Sequence, residues 1–172
     1  GDKIYLQELT NRINNPNYFK WLKNKDINKF LEVRFQKKIS KNYVKKFIIN
    51  SQKNKNIILF GIFKKNHTHI GNVKLEFNIN HKKCELGILI GEKKYFGNGY
   101  GKDAIKLATA FIFKNTKIDF IYAGIYSNNF ASIKSFRRSG WKKNSVLKEF
   151  WVYEDKRIDS VVYSITKAQF NM

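Results

Sequence analysis

The chain has 172 residues, 42% hydrophobic and 16% aromatic, with 34 Lys plus Arg against 13 Asp plus Glu for a formal net charge of +21. That length and apolar content suit one folded domain over residues 1–172 and exclude a disordered tail. A lone cysteine, Cys84, excludes an internal disulfide and a multi-cysteine metal site, and no apolar run reaches the ~18–20 residues of a membrane span.

The opening GDKIYLQEL reads as a strand and lacks the apolar block of a signal peptide, so the cytoplasm is the expected location. Pro16, the only proline, suits the start of a short helix in which Tyr18, Trp21 and Leu22 share a buried face. SKNYVKKFIINSQ predicts a second helix, capped by Ser40, with Val44, Phe47 and Ile48 inside. NIILFGIFKK, THIGNVKLEFNIN and KCELGILIG predict three strands of an antiparallel meander, with Cys84 packed in the third. His67 and His69 are placed in the exposed turn between the first two strands, and His81 in the next turn, so none is expected to hold a metal. A glycine-rich loop follows, then a helix from about Lys102 to Asn115, a strand in KIDFIYAGIY, and a helix in NNFASIKSFRRSG. Gly140 fits the left-handed cap of that helix, and two strands near Lys148 and Val161 close the chain. The fold class is α/β (α+β) with a mixed, mostly antiparallel sheet.

The loop in EKKYFGNGYGKDAIKLATAFIF places Gly97, Gly99 and Gly101 at alternate positions directly before a helix. Glycines there leave backbone N–H groups and a helix N-terminus open to an anion. It is neither a P-loop, since Lys102 is followed by Asp103 rather than Ser or Thr, nor a dinucleotide fingerprint, whose spacing is G-x-G-x-x-G.

FGNGYG resembles motif A of the GNAT superfamily of acetyl-CoA-dependent N-acetyltransferases, with Phe96 standing where Gln or Arg is usual. NNFASIKSFRRSGW resembles that superfamily's later motif, with Asn129, Ser132, Gly140 and Trp141 in the matching places. NYFKWLKNKDINKFLEVR resembles the branch containing ribosomal-protein N-terminal acetyltransferases and acetyltransferases of nucleotide-linked amino sugars. The resemblance implies a seven-stranded sheet flanked by about four helices and splayed in the middle for acetyl-CoA, the co-substrate. It implies that the backbone of Phe96, Gly97, Asn98, Gly99, Tyr100, Gly101 and Lys102 cradles the pyrophosphate, that Ile88, Leu89 and Ile90 pair with the pantetheine arm, and that Asn129 contacts the coenzyme or caps its helix.

Attack on the thioester needs a neutral amine, and a carboxylate suits the proton acceptor. Glu85, on the strand leading to the thioester, and Glu149, which matches a glutamate of the ribosomal-protein branch, are both candidates; each also suits a surface strand. The tyrosine that many relatives use to protonate the thiolate is Phe136 here, so the resemblance passes that role to Ser132 or to water. The expected acceptor is a small molecule, an anionic nucleotide-linked amino sugar. The alternatives are the N-terminal α-amine of a ribosomal protein and a non-catalytic, basic nucleic-acid-binding module. The +21 charge serves any of these and equally follows from compositional drift toward Lys, Asn and Ile.

Overall fold

A computed structural model of the chain describes residues 3–10 and 16–170. The end residues of the expected 1–172 domain, and Asn14 and Asn15 before the first helix, lie outside the described residues. Strands β1 (Ile4–Glu8), β2 (Ile57–Lys64), β3 (His69–Asn78), β4 (Lys83–Ile90), β5 (Phe120–Tyr126), β6 (Lys142–Tyr153) and β7 (Lys156–Thr166) form one sheet in the order β1-β2-β3-β4-β5-β7-β6. Every neighbouring pair is antiparallel except β4 and β5, which run parallel. The helices are α1 (Pro16–Lys23), α2 (Lys25–Asn28), α3 (Lys41–Lys53), α4 (Tyr100–Asn115), α5 (Phe130–Arg138) and α6 (Lys167–Phe170), with single 3-10 turns at Glu32–Phe35 and Lys93–Tyr95. The α/β class, the seven strands and their mostly antiparallel pairing are as the sequence predicts.

Side-chain alternation along the strands gives the sheet two packed faces. On one, Ala104, Ile105, Ala108 and Ile112 of α4 press on Val73, Leu75, Leu86, Ile121 and Ala123, all essentially buried. On the other, Tyr18, Trp21 and Leu22 of α1 and Val44 and Ile48 of α3 cover Leu59 and Phe63. The first-helix stripe is therefore as its spacing of three and four predicts. Ser40 caps α3 by accepting the Tyr43 N–H at 3.0 Å, and Gly140 ends α5 at φ +88°. Cys84 is fully buried within β4.

His69 departs from the expectation of an exposed turn. It begins β3, is 7% exposed, and lies 4.8 Å from both the Trp21 and Phe63 rings. Its Nε2 hydrogen-bonds Asn72 at 2.8 Å, and burial holds its imidazole below the ordinary histidine range. The apolar face of α1, folded over the strand start, converts a polar-looking turn residue into core. The stretch from Glu149 to Asp159 is a hairpin whose tight turn uses positive φ at Glu154 and Asp155.

Candidate active site

The parallel strands β4 and β5 pair over three rungs only, Lys83↔Phe120, Cys84↔Ile121 and Glu85↔Tyr122. Beyond Glu85, β4 pairs only with β3, and beyond Tyr122, β5 pairs only with β7. The sheet therefore forks, opening a V toward the C-terminal ends of both strands. Antiparallel ladders alternate residues that bond to the partner strand with residues that face away. The Gly91 N–H to Ile70 carbonyl bond (2.8 Å) sets the phase on β4: Leu89 and Gly87 bond to β3, while Leu86, Ile88 and Ile90 turn their backbone into the gap. Bonds from Lys167 N–H to Asp119 and from Ser127 N–H to Asp159 set the phase on β5, leaving Gly124 and Tyr126 facing the gap from the other side. Of the three residues expected to line the coenzyme arm, Ile88 and Ile90 present free backbone; Leu89 is committed to Asn72.

The β4 arm of the V leads to the glycine loop. Gly97 and Gly99 hold φ of +76° and +85°, the left-handed region that a side chain resists. Gly99 is the N-cap of α4, with no side chain to cap it, and the first helix bond to it comes from the Asp103 N–H at 3.0 Å. Among the described residues, the amides of Gly97, Asn98, Gly99, Tyr100, Gly101 and Lys102 donate to no protein acceptor. The Phe96 amide does, to the Lys93 carbonyl at 2.9 Å, so the open run starts one residue later than expected. A Cβ on Gly97 or Gly99 would meet nothing within 4 Å, whereas one on Gly101 would lie 3.3 Å from Ser135 Oγ. Gly101 thus serves the close approach of α4 to α5, not the open cradle alone. Lys102 contacts Asp103 at 3.3 Å across a partly exposed surface.

Glu85 stands at the fork, exposed, and accepts a hydrogen bond from the Tyr122 hydroxyl at 3.3 Å. Burial, reinforced by the charge of Glu85, pushes the Tyr122 hydroxyl above its ordinary range, so it remains a proton donor to the carboxylate. Glu149 lies on β6, with β5 and β7 between it and Glu85. In β6, Leu147 pairs with Ser160 and Trp151 with Ile158, so Asp159 opposes a three-residue bulge that includes Glu149 at φ 52°. The Glu149 amide donates to Asp159 Oδ1 at 3.0 Å and its carbonyl accepts from Arg157 at 3.3 Å, while its side chain points to solvent. The two glutamates are not brought together. Asn129 caps α5, its Oδ1 accepting the Ser132 N–H at 3.2 Å, and the half-buried Ser132 hydroxyl has no hydrogen-bond partner among the described residues. Phe136 is 1% exposed and packs on Trp141 at 4.9 Å, part of the core.

Above the fork, on the face of Glu85, an aromatic wall rises that sequence reasoning missed. Tyr126 stacks on Trp151 (4.7 Å, 13°) and borders Phe30 (5.4 Å), which stacks on Tyr153 (5.3 Å). Arg34 ties this wall to the turn at Glu32–Phe35, donating to the Tyr126 hydroxyl and the Val152 carbonyl, both at 2.8 Å. Its guanidinium lies 4.1 Å from the Phe35 ring, with no carboxylate at ion-pair distance among the described residues. Only long-range folding assembles residues 30–35, 126 and 151–153, so no local spacing announced them. Asn128 was also missed; its Oδ1, at the mouth of the V, is buried without a donor among the described residues. The doubled asparagine of NNFAS was its one sequence signal.

A coenzyme with a diphosphate and a chain of amides fits these features. The open amides suit the diphosphate, the bare strand edges suit an amide-bearing arm, and Asn128 Oδ1 is an acceptor lacking a donor. Among the described residues, no group of three His, Cys, Asp or Glu side chains is placed to hold a metal, and no helix is long and apolar enough to cross a membrane.

The family profile of the acetyltransferase (GNAT) domain matches residues 3–142. Over 86 residues the chain is 35% identical to an uncharacterized protein of Methanocaldococcus jannaschii; the match covers 49% of this chain but only 17% of that relative's length. Among solved structures, the spermidine N-acetyltransferase of Vibrio cholerae, in complex with CoA and spermine, superposes with a TM-score of 0.88 at 17% identity, covering 100% of both chains. A GNAT-family acetyltransferase of Bacillus anthracis gives 0.81 at 15% identity over 96% of both chains. At these identities the structural likeness speaks for the fold.

Proposed function

The chain belongs to the acetyltransferase (GNAT) domain family, and from that premise we propose that it is an acetyl-CoA-dependent N-acetyltransferase acting on a primary amine by direct attack. One observation carries the reading: a forked sheet whose bare strand edges lead to a run of unbonded amides at a helix N-terminus. Acetyl-CoA supplies an acetyl group activated as a thioester. The amides of Gly97 to Lys102 hold the diphosphate, helped by the positive end of α4. The inward N–H groups of Ile88 and Ile90 are the donors available to the thioester carbonyl. Glu85, at the fork, accepts the amine proton directly or through water, with Tyr122 fixing one carboxylate oxygen and leaving the other free. Ser132, near the N-terminus of α5, or water returns a proton to the departing sulfur. Glu149 stands at the rim, where it serves acceptor binding rather than proton transfer.

For the acceptor, the nucleotide-linked amino sugar is the reading we propose, with a protein N-terminal amine second. A net charge of +21 and an Arg34 guanidinium without a carboxylate partner among the described residues favour an acceptor carrying negative charge over a polycation. The test offers the purified chain acetyl-CoA with UDP-linked amino sugars, short peptides and spermidine side by side. Acetylation of peptide or spermidine, with no nucleotide sugar modified, rejects the acceptor while leaving the reaction class standing.

A further inference from the structure

Two buried polar groups beside the fork have no partner. Ser160 is 1% exposed, and neither its Oγ nor Trp151 Nε1 has a hydrogen-bond partner among the described residues. Native structures leave few such groups unsatisfied, and each one calls for an explanation. Both lie beside Gly124: a Cβ placed there would lie 3.3 Å from Ser160 Oγ and 3.8 Å from Trp151 Cζ2, and Gly124 itself is exposed. Ser164, four residues along the same face of β7, is satisfied by the Asn144 amide at 3.1 Å. The orphaned state is therefore particular to position 160, not general to serines of this strand.

Gly124 follows Tyr122 by two residues on one face of β5, so it stands about 7 Å along the strand from the Glu85–Tyr122 fork. Indole N–H can only donate; a serine hydroxyl donates or accepts. The group that satisfies both at once is an oxygen acceptor. Resting on the acetyltransferase reading above, we propose that Trp151 Nε1 and Ser160 Oγ form a specificity subsite that receives a hydroxyl or carbonyl oxygen of the acceptor, several bonds from the amine it presents to Glu85. Amino sugars and peptide N-termini carry such an oxygen. A protonated polyamine has only N–H donors, leaves the indole unsatisfied and adds cationic charge beside Arg34.

The test compares wild type with Ser160→Ala and Trp151→Phe, the latter keeping a ring against Tyr126, on a UDP-linked amino sugar, the dipeptide Ala-Ala and spermidine. The expected result is a higher kcat/KM for an oxygen-bearing amine than for spermidine. Each substitution lowers that value about 10-fold or more, as loss of one buried hydrogen bond in a bound complex does. Acetyl-CoA affinity stays within about two-fold, and the Tm of free Ser160→Ala is equal to wild type or raised, because an orphaned group has been removed. A structural serine would instead lower the Tm. Preference for spermidine, an equal loss on all three amines, or no transfer to any of them while acetyl-CoA binds, overturns the subsite but not the coenzyme site. No acetyl-CoA binding in the folded protein removes both readings.

Discussion

Replacing Gly99 separates the two roles of the glycine loop. At φ +85° an alanine pays the left-handed penalty of about 1–2 kcal/mol, which for a domain of this size lowers Tm by roughly 2–8 °C. Its methyl meets nothing within 4 Å, so packing adds no further cost. Gly99→Glu bears the same strain, but a carboxylate at the N-cap gains about 0.3–1 kcal/mol from the helix dipole. Its thermal loss is therefore no larger than that of alanine. Binding behaves differently. A carboxylate about 5 Å from one phosphate charge costs about 3 kcal/mol at an effective dielectric near 20, roughly two orders of magnitude in Kd. Calorimetric titration with acetyl-CoA, beside thermal denaturation, reads both quantities. The expected pattern is two variants of similar Tm in which glutamate binds over 100-fold more weakly than wild type, with the gap narrowing at high salt. A folded Gly99→Glu that binds acetyl-CoA within about three-fold of wild type refutes the cradle.

Glu85→Gln keeps shape and the Tyr122 contact but loses the base: turnover should fall about 10²–10⁴-fold with acetyl-CoA affinity unchanged, and retained turnover in a steady-state assay would move the role elsewhere. Gly91→Ala drives a methyl into the Trp21 ring, so Tm should drop by about 2–12 °C for an overpacking cost near 1–3 kcal/mol; an unchanged melt would mean that α1 shifts freely. His69 sets a pH dependence. Because burial depresses its folded pKa, the unfolded chain takes the proton first as pH falls, so its stability contribution is present above about pH 6.5 and shrinks below it, by at most about 1.4 kcal/mol per pH unit. Tm should therefore fall from pH 7 to pH 5, less so in His69→Gln, and equal slopes in the two proteins would discount the histidine. Asp26, held low by Lys93, and Asp159, held low by the Glu149 amide and Lys148, act in a separate window near about pH 4.

Much of this was written in the chain. Alternation in residues 57–90 specified the meander, spacings of three and four specified α1 and α3, and alternate glycines before an apolar helix specified an anion-binding turn, because each depends on neighbours in sequence. The glycine loop and NNFASIKSFRRSGW together sufficed for the family, since both are contiguous. What tertiary structure decided is where distant backbone and side chains meet. It committed the Leu89 backbone to β3 and freed those of Ile88 and Ile90, a phase fixed by pairing register. It buried His69 under α1, aimed Gly101 at Ser135, and separated Glu85 from Glu149 by two strands. It also gathered Phe30, Arg34, Tyr126, Trp151 and Ser160 from four segments into one wall beside the fork. Local sequence fixes periodicity and backbone freedom; the acceptor wall depends on contacts such as Arg34 to Tyr126 and to Val152, 92 and 118 positions apart, which only the closed sheet brings into reach.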